Sequence, residues 1–320
     1  MRMESMVLHH IVEAQQFNKK TLQEIFIFAD RVKERIERGF PLELLRGKIL
    51  ANLFYVKSIR TMFSFETAMK RLGGEVIGTE SGEAFSSELV GATLEDTVRM
   101  VGSFVDVIVL RHYQSGSAKR AAEVSPVPII NGGDGAAQHP TQAIVDLYCI
   151  EKLMGGVDGV SIAFLGNLMN SRTIRSLVYF LAKYSGIKIY FASPRTLKMK
   201  DDLKEYLTEH RVSFSESFDS AEDLMEIASK VDILYLTQIP EDHFGDRICD
   251  YDKYREIFRI NQNILNRLRK DTFIMHPFPR GDELPVQVDK DPRAIYFDQI
   301  KYGQFLRMGL LCYVLGVRVD

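Results

Sequence analysis

Apolar positions along the chain switch between two rhythms. Residues 18–38 set Leu22, Ile25, Phe26, Ala29, Val32 and Ile36 on one helical stripe, and Gly39 and Pro41 end it. A mostly apolar run from Ile49 to Tyr55 reads as a buried strand over 48–55. Phe65, Ala68, Met69 and Leu72 then return to helical spacing until Gly73-Gly74 stops them. A short strand at 75–78, a helix at 93–104, a buried strand at 105–110, a helix at 117–124 and a strand at 127–131 follow. Residues 132–142, Gly-Gly-Asp-Gly-Ala-Ala-Gln-His-Pro-Thr-Gln, break the rhythm, and Pro140 suits the first turn of a helix running to residue 154. A second series has strands at 160–165, 187–191, 231–237 and 272–276, with helices from Arg172 and at 201–210. Pro277-Phe278-Pro279-Arg280-Gly281-Asp282-Glu283 fits no regular element, and a final helix spans 299–315. No element is assigned between 211 and 230.

Strand and helix alternate throughout, which predicts an α/β fold of two domains, each a parallel sheet flanked by helices. Gly155-Gly156 marks the boundary, giving a first domain of residues 1–154 and a second of 155–298. The length of 320 residues suits two domains.

Composition narrows the class. The chain is 46% hydrophobic and 26% charged, with a net charge of −2, so a nucleic-acid partner is not expected and any basic site is local. No apolar stretch approaches the roughly eighteen residues of a membrane span, and residues 1–17 lack the apolar core of a signal peptide. Three scattered cysteines, Cys149, Cys249 and Cys312, argue for a reducing compartment and against a disulfide framework or a zinc cluster. A cytoplasmic protein that needs no metal is the expectation.

Candidate chemistry gathers where strands end. Ser58-Ile59-Arg60-Thr61 opens a helix straight after a buried strand, so backbone N–H groups, a guanidinium and two hydroxyls face one place, which suits a phosphate. Read alone, the stretch equally fits a capped helix with a solvated Arg60. Arg111 ends another strand, residues 135–142 follow a third and residues 276–280 a fourth. Ligands in open parallel sheets bind beyond the carboxyl ends of strands, so these four clusters are expected at one sheet edge. Singly, Arg111 fits a surface charge, His139 a satisfied core histidine and Pro-Phe-Pro a rigid turn.

Taken together, these clusters resemble the aspartate and ornithine carbamoyltransferase family, and within it the aspartate carbamoyltransferase catalytic chain. The most specific part is 131–146, with Gly-Asp-Gly-x-x-Gln-His-Pro-Thr-Gln. Ser64-Phe65-Glu66-Thr67-Ala68-Met69, Arg71-Leu72-Gly73, His276-Pro277-Phe278-Pro279-Arg280 and the ending from Tyr296-Phe297 to Arg307 add to it. The resemblance covers about 16–315. It implies a carbamoyl phosphate domain followed by an amino-acid domain, with the last helix, 299–320, returning to the first. It also implies a homotrimer with shared active sites, a place in pyrimidine biosynthesis and no cofactor. By resemblance Ser58, Ile59 (through its backbone), Arg60 and Thr61 hold phosphate, and Arg111 bridges phosphate and carbonyl oxygen. His139 donates to that oxygen, Gln142 holds the carbamoyl nitrogen, and the carbonyls of Pro277 and Phe278 receive the same amide. The Phe278–Pro279 bond is expected to be cis.

Several positions depart from the family pattern Phe-x-Glu-Pro-Ser-Thr-Arg-Thr-Arg. Val56 stands for the glutamate, Lys57 for the proline, Ile59 for the first threonine and Met62 for the last arginine. The glutamate's second-domain partners fall at Arg172, which is kept, and near His243. The loop 79–91 should deliver a lysine to a neighbouring subunit; Val90 stands there, and Ser86 keeps the loop serine. In the second domain, Thr-Arg-x-Gln becomes Thr237-Gln238-Ile239-Pro240, so Gln238 meets the acceptor's side-chain carboxylate without an ion pair. Three readings follow. In the first, the chain carbamoylates an amino acid other than aspartate, with Arg172 on one carboxylate, Gln238 facing a neutral group and Lys57 replacing the missing cation. In the second, it is a catalytically weak or inactive paralogue with a structural or regulatory role in a trimer, associated with another pathway enzyme. In the third, it uses aspartate through substitutes not apparent in the sequence.

Overall fold

The structure, a computed structural model, describes residues 9–79, 91–241 and 248–317. It contains two compact units, Met1–Cys149 with Lys301–Asp320, and Ile150–Ile300.

The first unit is built on a four-stranded parallel sheet of β1 (Ile49–Phe54), β2 (Glu75–Thr79), β3 (Val107–His112) and β4 (Ile129–Asp134) in the order β2-β1-β3-β4. β1 and β3 are buried over nearly their whole length, as strands covered on both faces must be. Ala51, Leu53, Ile108 and Leu110 pack with Leu94, Val98 and Ala121 of the covering helices. Full burial of each leucine, isoleucine or valine side chain among them contributes about 1.5–3 kcal/mol. The helix Lys19–Glu37 buries the anticipated stripe from Leu22 to Val32 and leaves Ile36 half-buried, and Asn18 caps it by accepting from the Thr21 N–H at 2.8 Å. Strand order reverses between β1 and β3, and the crevice outside their carboxyl ends is the topological switch point.

The second unit has five parallel strands, β5 (Ser161–Leu165), β6 (Lys188–Ser193), β7 (Ser213–Phe218), β8 (Ile233–Leu236) and β9 (Phe273–Met275), in the order β7-β6-β5-β8-β9. Its switch point lies between β5 and β8. Helix caps come from Ser171, Ser220 and Asn261, each accepting a backbone N–H three residues on.

Four expectations need correction. The strand expected to end at residue 131 runs on to Asp134, because Asn131 Oδ1 accepts from the Gly133 N–H at 2.7 Å and Gly132 lies flat against β3. The stretch assigned no element holds β7 and the helix Ala221–Ala228; β7 is an edge strand with Ser213 and Ser215 exposed and Glu216 half-buried between Phe214 and Phe218, paired with Lys204 at 2.9 Å, so it has no apolar run to read. The final helix spans Tyr296–Val314, starting three residues early. The four candidate clusters also do not share one sheet edge: three follow strands of the first sheet, and 276–280 follows β9 of the second.

Candidate active site

The first unit brings its candidates to the β1/β3 switch point. Phe54 is in register with Arg111, and the Tyr55 N–H donates to the Arg111 carbonyl at 2.8 Å. The chain then turns through Ser58 into the helix Ile59–Arg71. Ser58 does not cap this helix with its side chain; its hydroxyl donates to Thr61 Oγ1 at 3.1 Å. The two hydroxyls are thus paired beside the helix N-terminus, the positive end of its dipole. Thr61 is buried, whereas Ile59 and Arg60 are exposed. Arg111 Nη1 donates to the Gly132 carbonyl at 2.8 Å, so β4 fixes the guanidinium at the end of β3. A Cβ on Gly132 would lie 3.3 Å from the Leu110 carbonyl and 3.5 Å from Thr61 Cγ2. That close approach ties β3, β4 and the phosphate-type helix together.

The loop after β4 is held from below. Asp134 is buried and accepts from Asn131 Nδ2 (3.1 Å), Gly116 N–H (2.9 Å) and Gln138 N–H (3.3 Å); burial raises its pKa and these bonds oppose the rise. Gln138 Oε1 accepts from the Ala14 N–H at 2.8 Å, and its Nε2 donates to Gln15 Oε1 at 2.7 Å. His139 follows, buried, with Nδ1 3.3 Å from Thr141 Oγ1. One turn into the helix Pro140–Met154, Gln142 Nε2 donates to Asp146 Oδ1 at 2.9 Å, while its Oε1 accepts from Arg307 Nη2 at 3.3 Å.

In the second unit, the loops after β5 and β8 meet at its switch point. A Cβ on Gly166 would lie 2.2 Å from the Thr237 carbonyl. Asn167 Oδ1 accepts from the Asn170 N–H at 3.2 Å, and Arg172 begins the helix Arg172–Leu181. Gln238 is exposed and borders a cleft with Tyr251, Arg255, Gly281, Asp282 and Glu283. Arg255 Nη1 lies 3.2 Å from Asp282 Oδ2. After β9, the Phe278–Pro279 bond is cis, as expected, and Phe278 has φ 54°. His276 organises this turn: its Nδ1 accepts from the Phe278 N–H at 2.9 Å, so Nε2 carries the proton donated to Glu283 Oε1, also at 2.9 Å. The Gly281 N–H reaches the same carboxylate oxygen at 2.7 Å. Burial raises the Glu283 pKa, but the bonds from His276 and Gly281 outweigh it and leave the carboxyl below its ordinary value.

Ser86 and Val90 lie outside the described residues, as does His243. Sequence reasoning passed over Asp134, Asp146 and Glu283, and gave Arg307 no role. Asp146 was within reach, since it lies four residues after Gln142 on one helix. Arg307 was not, because 165 residues separate it from Gln142.

The family model for the aspartate/ornithine carbamoyltransferase carbamoyl-P binding domain matches residues 9–152. The model for the Asp/Orn binding domain matches residues 158–314. The chain belongs to the aspartate/ornithine carbamoyltransferase family. It is similar to aspartate carbamoyltransferase 2, chloroplastic, of Pisum sativum, with 52% identity over 309 residues, 96% of this chain and 79% of that one. The aspartate carbamoyltransferase catalytic subunit of Methanocaldococcus jannaschii is 42% identical over 304 residues, 95% of this chain and 97% of that one. A crystal structure of the M. jannaschii catalytic subunit superposes with a TM-score of 0.89 at 41% identity, covering 97% of this chain and 98% of that one. The Trypanosoma cruzi aspartate transcarbamoylase in complex with N-(phosphonacetyl)-L-aspartic acid gives 0.85 at 35% identity, with 94% of each chain covered.

The chain is therefore an enzyme of the carbamoyltransferase class. These relatives are aspartate enzymes by name and lend no support to an acceptor other than aspartate. Among the described residues no helix is long and apolar enough to cross a membrane, and no group of His, Cys, Asp and Glu is placed to hold a metal. The plant relatives are named chloroplastic, so the reducing compartment inferred from the cysteines is not narrowed to the cytoplasm.

Proposed function

We propose that this chain transfers the carbamoyl group of carbamoyl phosphate to the α-amine of aspartate. The observation that carries the reading is the convergence of Ser58–Thr61 and Arg111 on the β1/β3 switch point, with Arg111 anchored to β4. The family description for residues 9–152 names carbamoyl phosphate, and the related T. cruzi enzyme binds a compound joining a phosphonate to aspartate.

The chemistry asks for these groups. The neutral amine attacks the carbamoyl carbon, a C–N bond forms, the bond to the phosphate oxygen breaks, and the amine gives up a proton. Negative charge grows on the carbonyl oxygen and then settles on phosphate. Arg60, the Ser58 and Thr61 hydroxyls and the helix N-terminus receive phosphate; Arg111 spans phosphate and carbonyl oxygen; His139 donates to that oxygen. Planar guanidinium forks match phosphate oxygens and stay charged. Fixed donors aimed at growing charge lower the barrier, each worth roughly 2.7–4 kcal/mol when removed. Gln142 and the carbonyls of Pro277 and Phe278 receive the carbamoyl amide. Arg172 takes a carboxylate of the acceptor, and Gln238 offers a neutral amide to the other. A homotrimer in a reducing compartment completes the reading.

Gln238 favours a second reading, a weak or inactive paralogue. Its cleft contains Asp282 and Glu283, and the one arginine lining it already faces Asp282. A dicarboxylate meets no surplus cation there among the described residues.

Phosphate release from carbamoyl phosphate with aspartate, ornithine and neutral amino acids separates the two. Turnover with aspartate that is abolished by Arg60→Ala is the expected result. Calorimetric binding of carbamoyl phosphate without turnover on any acceptor selects the paralogue. No binding at all overturns the assignment of the first-unit site.

A further inference from the structure

The C-terminal helix Tyr296–Val314 sends one charged side chain into the interior of the first unit. Arg307 is 5% exposed, and burial lowers its pKa to about 10 despite the opposing charge of Asp146. A guanidinium in such a place is costly, and its Nε finds no hydrogen-bond partner among the described residues, so its polar contacts are made by the Nη atoms. Nη1 donates back to the Gly303 carbonyl at 3.3 Å, and a Cβ on Gly303 would lie 2.8 Å from that same nitrogen. A mid-helix glycine, unfavourable by propensity, is what leaves room for the arginine. Its guanidinium carbon sits 5.4 Å from the ring centroid of Phe65, on the helix that begins with Ile59-Arg60-Thr61.

The polar end of this arrangement is Gln142. An amide side chain has two near-identical ends, and its contacts decide which way it faces. Here the contacts leave no ambiguity. Guanidinium only donates, so the end toward Arg307 is the oxygen; carboxylate only accepts, so the end toward Asp146 is the NH2. Arg307 takes one of the two lone pairs on Oε1, and the oxygen retains a second with which to accept an N–H.

We propose that Arg307 is a positioning residue that, with Asp146, locks the Gln142 amide oxygen toward the carbamoyl NH2 and so sets the enzyme's selectivity for carbamoyl over acyl phosphates. The proposal rests on the reading of the first unit as a carbamoyl phosphate site. Without Arg307, only Asp146 holds the amide, through its NH2 end; without both, the amide rotates freely, and its NH2 end meets the substrate NH2 as donor against donor.

The test compares carbamoyl phosphate with acetyl phosphate, which replaces the NH2 by a methyl group, and with inorganic phosphate, each by calorimetry. Wild-type protein should prefer carbamoyl phosphate by about tenfold, the worth of one net hydrogen bond at the strong end of its range. Gln142→Ala should erase the preference. Arg307→Met, which leaves the Asp146 contact in place, should reduce it to about threefold while leaving inorganic phosphate binding within about twofold, and Arg307→Lys should restore part of what is lost. Because Arg307→Met leaves Asp146 buried without its counter-charge, the double variant Arg307→Met/Asp146→Asn provides a neutral version, with thermal unfolding as the check on folding. A folded variant of either kind that keeps the wild-type ratio overturns the proposal. So does one that loses inorganic phosphate in proportion, since that marks general damage. A wild-type protein that binds carbamoyl phosphate without preference overturns it too. A wild-type protein that binds neither acyl phosphate overturns the carbamoyl phosphate reading first, and the positioning role with it.

Discussion

Arg111 Nη1 donates to the Gly132 carbonyl at 2.8 Å, so the backbone of β4 aims the guanidinium at the end of β3. A backbone anchor cannot rotate away, so it fixes the direction of the guanidinium fork. Arg111→Ala and Arg60→Ala should each weaken carbamoyl phosphate by the worth of a charge-assisted bond, about 1.5–3 kcal/mol, or roughly 10- to 150-fold in Kd. Arg111→Lys should recover little, because a point charge on a flexible stem does not reproduce the fork. Titration calorimetry reads both.

His112 adjoins Arg111 and is buried, its Nδ1 accepting from the Gln114 N–H at 3.0 Å. Burial, aided by the charge of Arg120, lowers its pKa to about 4 from 6.5. The unfolded chain therefore binds a proton there that the folded chain refuses. The stability from keeping His112 neutral is complete above pH 6.5 and is lost as pH falls toward 4, in all about 3 kcal/mol. His10, likewise lowered to about 4, acts in the same window. Urea unfolding between pH 7 and pH 4 should show the loss, and His112→Gln should flatten part of the slope.

Glu283 accepts from both His276 Nε2 and the Gly281 N–H, and so braces the turn that presents the Pro277 and Phe278 carbonyls. Glu283→Ala should cost about 1.5–3 kcal/mol of stability, since a buried donor loses a charged partner. It should also raise KM. The carboxyl sits below its ordinary value of 4.5, so its contribution holds above that pH and fades as pH falls through the lowered value. Acid unfolding of the wild type and Glu283→Gln, compared below pH 4.5, measures this part.

Gly166 has φ 107°, and a Cβ there would lie 2.2 Å from the Thr237 carbonyl. Gly166→Ala must therefore push apart the loops after β5 and β8 that carry Arg172 and Gln238. The strained backbone alone costs about 1–3 kcal/mol. Chemical denaturation should show that loss, with a rise in KM for the acceptor larger than the change in carbamoyl phosphate affinity.

Gln238 supplies no charge to a dicarboxylate. Gln238→Arg should lower KM for aspartate by about tenfold or more, the worth of a charge-assisted bond, without altering carbamoyl phosphate binding. Steady-state kinetics with aspartate at saturating carbamoyl phosphate reads it. An unchanged KM would place the acceptor's side chain elsewhere.

The local code of this chain was legible where periodicity is strong. The stripe from Leu22 to Val32, the buried β1 and β3, and Pro140 at a helix start all follow from spacing alone, because burial on one or both faces writes itself into residue order. β7 was not legible: an edge strand of Ser-Phe-Ser-Glu-Ser-Phe needs no continuous apolar face. The run through Gly132-Gly133-Asp134 misled for the opposite reason. Glycine there marks a close approach to β3 and the adjacent helix, not a break.

What the sequence determined by itself was which chemistry the chain possesses: a guanidinium and two hydroxyls at one helix start, an arginine at a strand end, and His139 and Gln142 across a proline. Those are matters of neighbours in the chain. Only the tertiary structure decided how the groups are aimed. Arg111 is fixed by a carbonyl 21 residues on, Gln142 by an arginine 165 residues away, and the 276–280 turn by a strand of the second sheet. Hydrogen-bond direction depends on which atoms meet across the fold, and sequence order does not record it. The structure thereby gives Arg307, which the sequence left without a role, a defined place beside the candidate site.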